Sequence, residues 1–240
     1  MNISRIKLSA FLLLLASTLL LGGCATNGDR RDPLEPLNRG IYQFNDSVDK
    51  AVIKPVAQGY KDVLPQPVRT GVGNFFSNLD DVLVVFNDLM QFKLAQAVGD
   101  FHRVLWNTTI GIGGLFDVSG AIGFEKHNED FGQTLGYWGL GNGPYLVLPI
   151  LGPSSLRDTA GRVVDWQFDL VTNYYDVPTR NTATVVKVED TRSRQLGTSE
   201  ILEEAAIDPY VFVRDAYLQR RRSLVYDGNP PREKLGEDDE

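Results

Sequence analysis

The chain has 240 residues, a formal net charge of −7 and a single cysteine. This length is enough for one domain with a sizeable core, and the acidic charge disfavours nucleic acid as a partner. With one cysteine no internal disulfide can form, so packing must stabilise the fold.

The N-terminus has the features of an exported lipoprotein. Arg5 and Lys7 precede an apolar run over residues 8–21, which is too short to span a bilayer comfortably. Small residues close this run immediately before Cys24, an arrangement that resembles the bacterial lipobox. We expect residues 1–23 to be a signal peptide and Cys24 to carry an N-acyl diacylglycerol, with no other cofactor. An ordinary signal peptide followed by a chance cysteine is the alternative.

Lipidation decides how the protein is attached and where it is sorted. Several acyl chains make attachment effectively permanent, whereas one chain gives only marginal binding. By the sorting habit of enterobacterial lipoproteins, Ala25 rather than Asp after the cysteine implies the outer membrane, with the protein on its periplasmic face. Residues 24–36 are polar and contain prolines, which predicts an acylated tether.

Apolar residues at spacings of three and four predict three helices after the tether. The first stripe consists of Ile41, Phe44, Val48, Val52 and Val56. Pro55 should kink or break this helix. The second stripe consists of Phe75, Leu79, Val82, Phe86 and Leu89. The third helix, over residues 93–108, has Ala97, Phe101 and Leu105 on one side.

Residues 111–152 differ from the rest of the chain because they are rich in glycine. No charged residue or histidine occurs from Phe131 to Leu156, which is unusual unless the segment is core or faces lipid. Tyr137, Trp138 and Tyr145 are aromatic residues of the types enriched at membrane interfaces. Periodicity alone leaves two interpretations open, a membrane-interface segment and a buried β-hairpin with glycine turns.

The C-terminal third is again predicted to be helical. Ser155 followed by Asp158 resembles a capping box, and the helix that it starts carries Val163, Trp166, Leu170 and Tyr174. A further helix is expected over residues 182–204. Asp208-Pro209 predicts the start of the last helix, which carries Tyr210, Val213, Tyr217 and Leu224. Residues 227–240 are acidic and contain proline, which predicts a disordered tail.

We found no arrangement of residues that is typical of catalysis. There are two histidines, His102 and His127, and the one cysteine is the lipobox cysteine. No Gly-x-Ser-x-Gly elbow and no complete nucleotide-binding loop occurs, and no metal-binding motif is visible. We therefore expect a protein that is not an enzyme and holds no metal. With no ATP-binding motif, any transport must be passive or driven by partners.

Several stretches together resemble the VacJ/MlaA family of outer-membrane lipoproteins. They are DPLEPLNRGIYQFN (32–45), KPVAQGYKDVLPQPVRTGVGNFFSNL (54–79), LWNTTIGIGGLFDVSG (105–120), FGQTLGYWGLGNGPYLVLPILGPSSLRD (131–158) and DPYVFVRDAYLQRR (208–221). The similarity is colinear and covers roughly residues 32–226, which makes it more specific than any single motif.

The resemblance implies a mainly α fold. It would be a single ring-like helical domain over residues 37–226, with a short glycine-rich hairpin or ridge, lying in the membrane interface. The implied function is to remove mislocalised phospholipids from the outer leaflet through an amphipathic channel and pass them to a soluble periplasmic lipid carrier. The implied partners are phospholipids, the outer membrane, a trimeric porin and that carrier.

Site residues follow from the same resemblance, position by position. Phe44 and Asn45 match a gating element on the N-terminal helix, although Phe44 has core packing as an equal alternative. Asp158 and Asp165 match acidic positions near the periplasmic mouth. The ridge beside the channel is matched by Gly139, Gly141, Gly143, Tyr145, Leu146 and Leu148.

Two other functions remain as alternatives. One is a structural lipoprotein that scaffolds a porin or the cell wall, which would require residues 131–151 to form a core or a protein interface. The other is a lipid hydrolase or acyltransferase that uses His102, Ser154 or Ser155.

Overall fold

The computed structural model describes residues 29–232, with the backbone alone for residues 200–205. Cys24, the leader and residues 233–240 of the predicted tail lie outside the described residues. Within the described range the fold is mainly α, as predicted. The helices are α1 (Glu35–Val48), α2 (Lys54–Val63), α3 (Gln66–Met90), α4 (Leu94–Thr109), α5 (Val118–Ala121), α6 (Phe131–Tyr137), α7 (Leu156–Phe168), α8 (Val177–Ala205) and α9 (Pro209–Val225).

The first predicted helix continues past Pro55, because a π-helical turn, Asp49–Ile53, precedes the proline. Proline lacks an N–H and clashes with the carbonyl four residues earlier. In the wider turn the N–H of Lys54 donates to the carbonyl of Asp49, five residues back. A π turn is a known way of accommodating such a disruption. Arg192 of α8 contacts both carboxylate oxygens of Asp49, at 2.7 and 2.8 Å.

The prediction for the helix after Ser155 was correct at its start and wrong at its end. The hydroxyl of Ser155 accepts a hydrogen bond from the N–H of Asp158, as a cap should. The helix ends at Phe168, so Leu170 and Tyr174 lie outside it. Asp169 and Asn173 explain the end, because their side chains bond to nearby backbone groups in a turn that competes with the helix.

A two-stranded antiparallel hairpin, β1 (Tyr145–Leu148) and β2 (Gly152–Ser155), is the non-helical element of the glycine-rich segment. It docks on α1 through two asparagines. The side chain of Asn38 donates to the carbonyl of Tyr145 and accepts from the N–H of Val147. Asn45, two turns along the same face, bonds likewise to Leu148 and Ile150. Each side-chain amide thus bonds to one carbonyl and one N–H of the hairpin backbone, as the backbone of a neighbouring strand would.

The first described residues contact the last helix. Asp32 is buried, and it accepts hydrogen bonds from the hydroxyl of Tyr210 and the side-chain amide of Asn38. Arg214 of α9 forms an ion pair with Asp29 at 3.2 Å. Asp29 and Asp32 belong to the segment predicted as the tether, residues 24–36, and in the structure both contact α9.

The polarity of the molecule is inverted relative to an ordinary globular domain. Among the described residues, buried polar or charged residues outnumber buried hydrophobic residues two to one. The second apolar stripe faces outward, with exposed fractions of 37% at Phe75, 43% at Phe86 and 50% at Leu89. The opposite face of α3 buries Asn78, Asp81, Asn87 and Asp88. The periodicity therefore identified α3, but the apolar stripe of this helix does not form the core.

Within residues 29–232, none of the helices combines the length and the apolar composition that crossing a membrane requires.

Candidate functional site

Two adjoining cavities lie between the helices. The first has a volume of about 290 Å³, and α3 and α8 supply most of its lining. The second, of about 360 Å³, is lined by α3, α9 and the segment that leads into α6. Asp80, Val84 and Asn128 line both, so the two cavities share a wall. Together they reach the size of typical ligand sites in proteins.

The first cavity contains three ion pairs. Lys187 bonds to Asp80 at 2.5 Å, and Lys126 bonds to Asp81. Arg194 pairs with Asp190 at 3.0 Å. These pairs account for every charged side chain that lines the cavity, so its charges compensate one another.

Gly73 of α3 is required by this arrangement. The guanidinium of Arg194 crosses the helix at that glycine, where a Cβ would lie 1.3 Å from one of its nitrogens. The same guanidinium donates to the carbonyl of Arg69 at 3.1 Å. A side chain at position 73 would displace Arg194 from the wall of the first cavity.

The second cavity is richer in carboxylates. Asp130 accepts hydrogen bonds from both terminal nitrogens of the Arg221 guanidinium, at 2.5 and 2.8 Å. Glu129 accepts from Lys93 at 3.1 Å. Asp165, which the sequence analysis proposed as a mouth residue, lines this cavity and accepts the N–H of Phe131. Burial raises the pKa of Asp165 above its usual value. The N–H of Phe131, the side chain of Asn87 and Arg221 lower the pKa, but by less than burial raises it.

Asp158, the second predicted mouth residue, is buried beside this cavity. It contacts Arg157 and Arg221, each at 2.9 Å, and the hydroxyl of Tyr217 at 2.6 Å. Burial alone would raise its pKa, but Arg221, Tyr217 and Arg157 hold the pKa below its usual value. Asp158 is therefore an internal ion-pair partner that fixes α7 to α9.

Two of the remaining predicted residues line a third cavity, of about 200 Å³, between α1 and the hairpin. Asn45 and Tyr145 line it. Phe44 is 52% exposed, which rules against the core-packing alternative. Leu146 and Leu148 are half-buried in β1. Asn45 and Asp165 thus line different cavities.

The predicted ridge glycines have different environments. Gly139 and Gly143 adopt left-handed backbone conformations, with φ of 90° and 64°, which glycine tolerates best. A Cβ at Gly143 would lie 3.2 Å from Leu156, whereas Gly139 and Gly141 have open space around them.

Sequence reasoning missed a set of buried charges behind the cavities. Asp88 and Asp100 are fully buried, and His127 bonds to Asp100 at 2.7 Å. From sequence alone, the charged run over residues 125–130 indicates that His127 lies in a surface loop. The sequence did contain a sign of this group, because Asp81 and Asp88 are seven residues apart and therefore lie on one face of α3.

The residues named for a hydrolase do not come together. His102 bonds to the carbonyl of Val98 and stacks on Phe124. The hydroxyl of Ser154 contacts Thr159, and the hydroxyl of Ser155 caps α7. Within the described residues, no cluster of His, Cys, Asp or Glu is arranged to hold a metal ion.

Comparisons with known proteins agree with the resemblance noted in the sequence. The family described as MlaA lipoprotein matches residues 30–224. The intermembrane phospholipid transport system lipoprotein MlaA of Escherichia coli K12 is 37% identical over 232 residues, covering 93% of this chain and 90% of that protein. The protein of the same name from Haemophilus influenzae is 33% identical over 238 residues, covering 92% of each.

A solved structure has the same fold. It comes from work on the structural basis for maintenance of bacterial outer membrane lipid asymmetry. Its TM-score is 0.72 at 34% identity, and the match covers 83% of this chain and 100% of the solved one. Family match, relatives and fold agree, and the chain belongs to the MlaA lipoprotein family.

Proposed function

We propose that this protein removes mislocalised phospholipids from the outer leaflet of the outer membrane. The lipid would pass through the adjoining cavities to a soluble periplasmic carrier, and a trimeric porin would hold the protein in place. The names of the relatives, which refer to intermembrane phospholipid transport, support the lipid as cargo. The observation that carries the proposal is the inverted polarity: charged cavities enclosed by helices whose outward faces are apolar.

Energetics explain why such an arrangement suits passive transport. Transferring about thirty lipid methylenes to water costs roughly 0.8 kcal/mol each, or about 24 kcal/mol in total. A protein without an energy source cannot meet that cost in one step. Charged cavities would receive the polar head group, while the apolar outer surface, embedded in the membrane interface, would keep the acyl chains out of water.

The test is the lipid asymmetry of a strain that lacks the gene. Outer-leaflet phospholipid is labelled in that strain and after complementation with the intact protein or with Cys24→Ala. We expect phospholipid to accumulate outside without the protein, and only the acylatable form to correct it. Unchanged asymmetry in the deletion strain would contradict the proposal.

A scaffold for a porin or the cell wall is the second candidate, and the extent of exposed apolar surface favours it. In that case the deletion strain would keep its lipid asymmetry but lose porin assembly or wall attachment. The same strain therefore separates the two functions.

A further inference from the structure

The three consecutive arginines of α9 have different environments. Arg221 is buried and pairs with Asp130 and Asp158. Arg222 is half-buried and donates to the carbonyl of Pro231. Arg220 is exposed and lines the second cavity. From sequence alone, three arginines on one helix indicate a solvated face, which describes the exposed Arg220 and not the buried Arg221.

The charges of the second cavity do not all compensate one another. Asp80, Glu129 and Asp130 have cationic partners, in Lys187, Lys93 and Arg221 respectively. Among the described residues, neither Asp165 nor Arg220 has an ion-pair partner. The second cavity therefore has one carboxylate and one guanidinium outside its ion pairs, whereas the first cavity has neither. Arg221 acts on Asp165 only from beyond ion-pair distance.

These two groups have complementary preferences. Arginine binds phosphate through two parallel hydrogen bonds from its planar guanidinium. A carboxylate in a partly desolvated site favours a cation, and an ammonium supplies three N–H donors. A ligand with a phosphate and a primary amine would compensate both groups. A purely anionic ligand would compensate Arg220 and be repelled by Asp165.

We propose that the second cavity binds the head group of an amine-bearing zwitterionic phospholipid, the phosphoethanolamine class, with Arg220 on the phosphate and Asp165 on the ammonium. This assignment rests on the proposed transport function and adds a head-group preference to it. Exposure of Arg220 places the phosphate position at the solvent side of the cavity. Asp165, on α7, lines the same cavity and accepts the N–H of Phe131, the residue that opens α6.

Acidity should modulate this binding. Burial and the nearby Asp130 raise the pKa of Asp165, while the N–H of Phe131, the side chain of Asn87 and Arg221 lower it. A bound ammonium would lower it further, because opposite charges favour the ionised carboxyl. Retention of the amine lipid should therefore fall as Asp165 is protonated.

The experiment measures the lipid that stays bound to the full-length acylated protein after detergent extraction. The ratio of phosphatidylethanolamine to anionic phospholipid is determined by mass spectrometry and divided by the same ratio in the source membrane. We expect enrichment of phosphatidylethanolamine with the unmodified protein and a ratio near one for Asp165→Asn and Arg220→Gln. The reversal Asp165→Arg should shift the retained lipid toward anionic species.

Matched controls are available on the same molecule. Arg222→Gln changes another arginine of the same run, and Asp62→Asn changes an exposed carboxylate on α2; neither residue lines either cavity. Both should retain lipid as the unmodified protein does. Each variant is melted by circular dichroism, and only variants whose melting midpoint matches the unmodified protein are compared.

Three outcomes would overturn the assignment. The unmodified protein could retain lipid at the ratio of the membrane, or Asp165→Asn could keep full enrichment. In a separate arm the lipid-free protein is titrated with soluble phosphoethanolamine and with inorganic phosphate. Equal binding of the two would show a simple anion site. The deletion strain tests transport independently, because its asymmetry does not depend on which lipid is retained.

Discussion

At the scale of single residues, the acidic side chains between α3 and α4 are unusual. Asp88 is fully buried, and among the described residues neither of its carboxylate oxygens has a hydrogen-bond partner. Burial, followed by repulsion from Asp100 and Glu129, raises the pKa of Asp88 to about 8, against a smaller opposing effect of Lys93. His127 and Gln91 also face this group of acids, through Asp100 and Glu129. When Asp88 is protonated, its O–H can donate a hydrogen bond to a neighbouring acceptor, which an ionised Asp88 cannot do.

Asp88 therefore predicts a pH dependence of stability. The folded state keeps a proton on Asp88 that the unfolded chain releases near pH 4. The contribution of Asp88 to stability is therefore fully present below about pH 4 and is lost as pH rises through about 8. Asp88→Asn removes this loss of stability at high pH, because the asparagine amide does not ionise and its NH₂ group can donate hydrogen bonds. We expect the melting midpoint of the variant to exceed that of the unmodified protein at pH 8.5, and not at pH 5. Each kcal/mol of difference corresponds to roughly 2–4 °C.

Asp62→Asn is the control for Asp88→Asn, because its carboxyl is exposed and should leave the pH profile unchanged. Parallel melting profiles for Asp88→Asn and the unmodified protein between pH 5 and 8.5 would contradict the assignment of a buried proton to Asp88.

At the scale of elements, the cavities depend on close approaches between helices. Gly161 of α7 lies against the backbone of Gly132 in α6, where a Cβ would be 2.3 Å from the Gly132 nitrogen. This contact places α6, with Asp130 at its start, against α7, which carries Asp165. Backbone atoms cannot move aside as a flexible side chain can, so the two helices must separate if a methyl group is added.

Gly161→Ala should therefore destabilise the protein, by about 1–3 kcal/mol in the free energy of unfolding. Gly59→Ala is a control of opposite sign. It lies within α2 with open space around it, so alanine should stabilise the helix by about 0.5–1 kcal/mol. Denaturant unfolding of both variants measures the difference. Equal stability of the two variants would show that α6 and α7 are not held by this contact.

Much of this element structure was accessible from the sequence, and the reason is physical. A spacing of three and four marks a helix whichever way its apolar face points, so α1, α3 and α4 were found. Caps act locally, so Ser155 and Asp208 marked helix starts correctly. The end of α7 was missed because Asp169 and Asn173 compete with the helix through side-chain bonds that no apolar stripe reveals.

The candidate site was less accessible. Asp165 was found through the family resemblance, and the structure places it in a cavity. Arg220 was not found, because three arginines in a row do not reveal which one lacks a partner in the fold. The direction of each apolar stripe was also hidden, since a lipid-facing stripe and a core-facing stripe have the same periodicity.

At the scale of the whole molecule, the outward apolar faces make a prediction about membrane binding. Phe101 and Leu105 of α4 are 52% and 44% exposed. The double variant Phe101→Ser/Leu105→Ser should fold as before but bind phospholipid vesicles more weakly. Losing about half of the 1.5–3 kcal/mol that each buried side chain contributes weakens binding by about tenfold or more.

This measurement uses the Cys24→Ala form, so that acyl chains do not mask the effect, and flotation with zwitterionic vesicles. Gln58→Ser/Lys61→Ser on the exposed face of α2 is the control and should bind as its parent does. A large loss of thermal stability in the α4 variant, with vesicle affinity unchanged, would show that this face packs inside the protein instead.

The contacts of Asp32 with Tyr210 and of Asp29 with Arg214 join the first described residues to the last helix, and this affects the order in which the chain can fold. An exported chain emerges on the far side of the inner membrane from its N-terminus, so Asp29 and Asp32 arrive early and α9 arrives late. Helices α1 to α8 can form while the chain is still threading through. Its two ends can be joined only after residue 214 has been translocated, so the newly secreted chain stays open almost to the end of its passage. Chaperones that shield apolar surface in the periplasm therefore have a long interval in which to bind it.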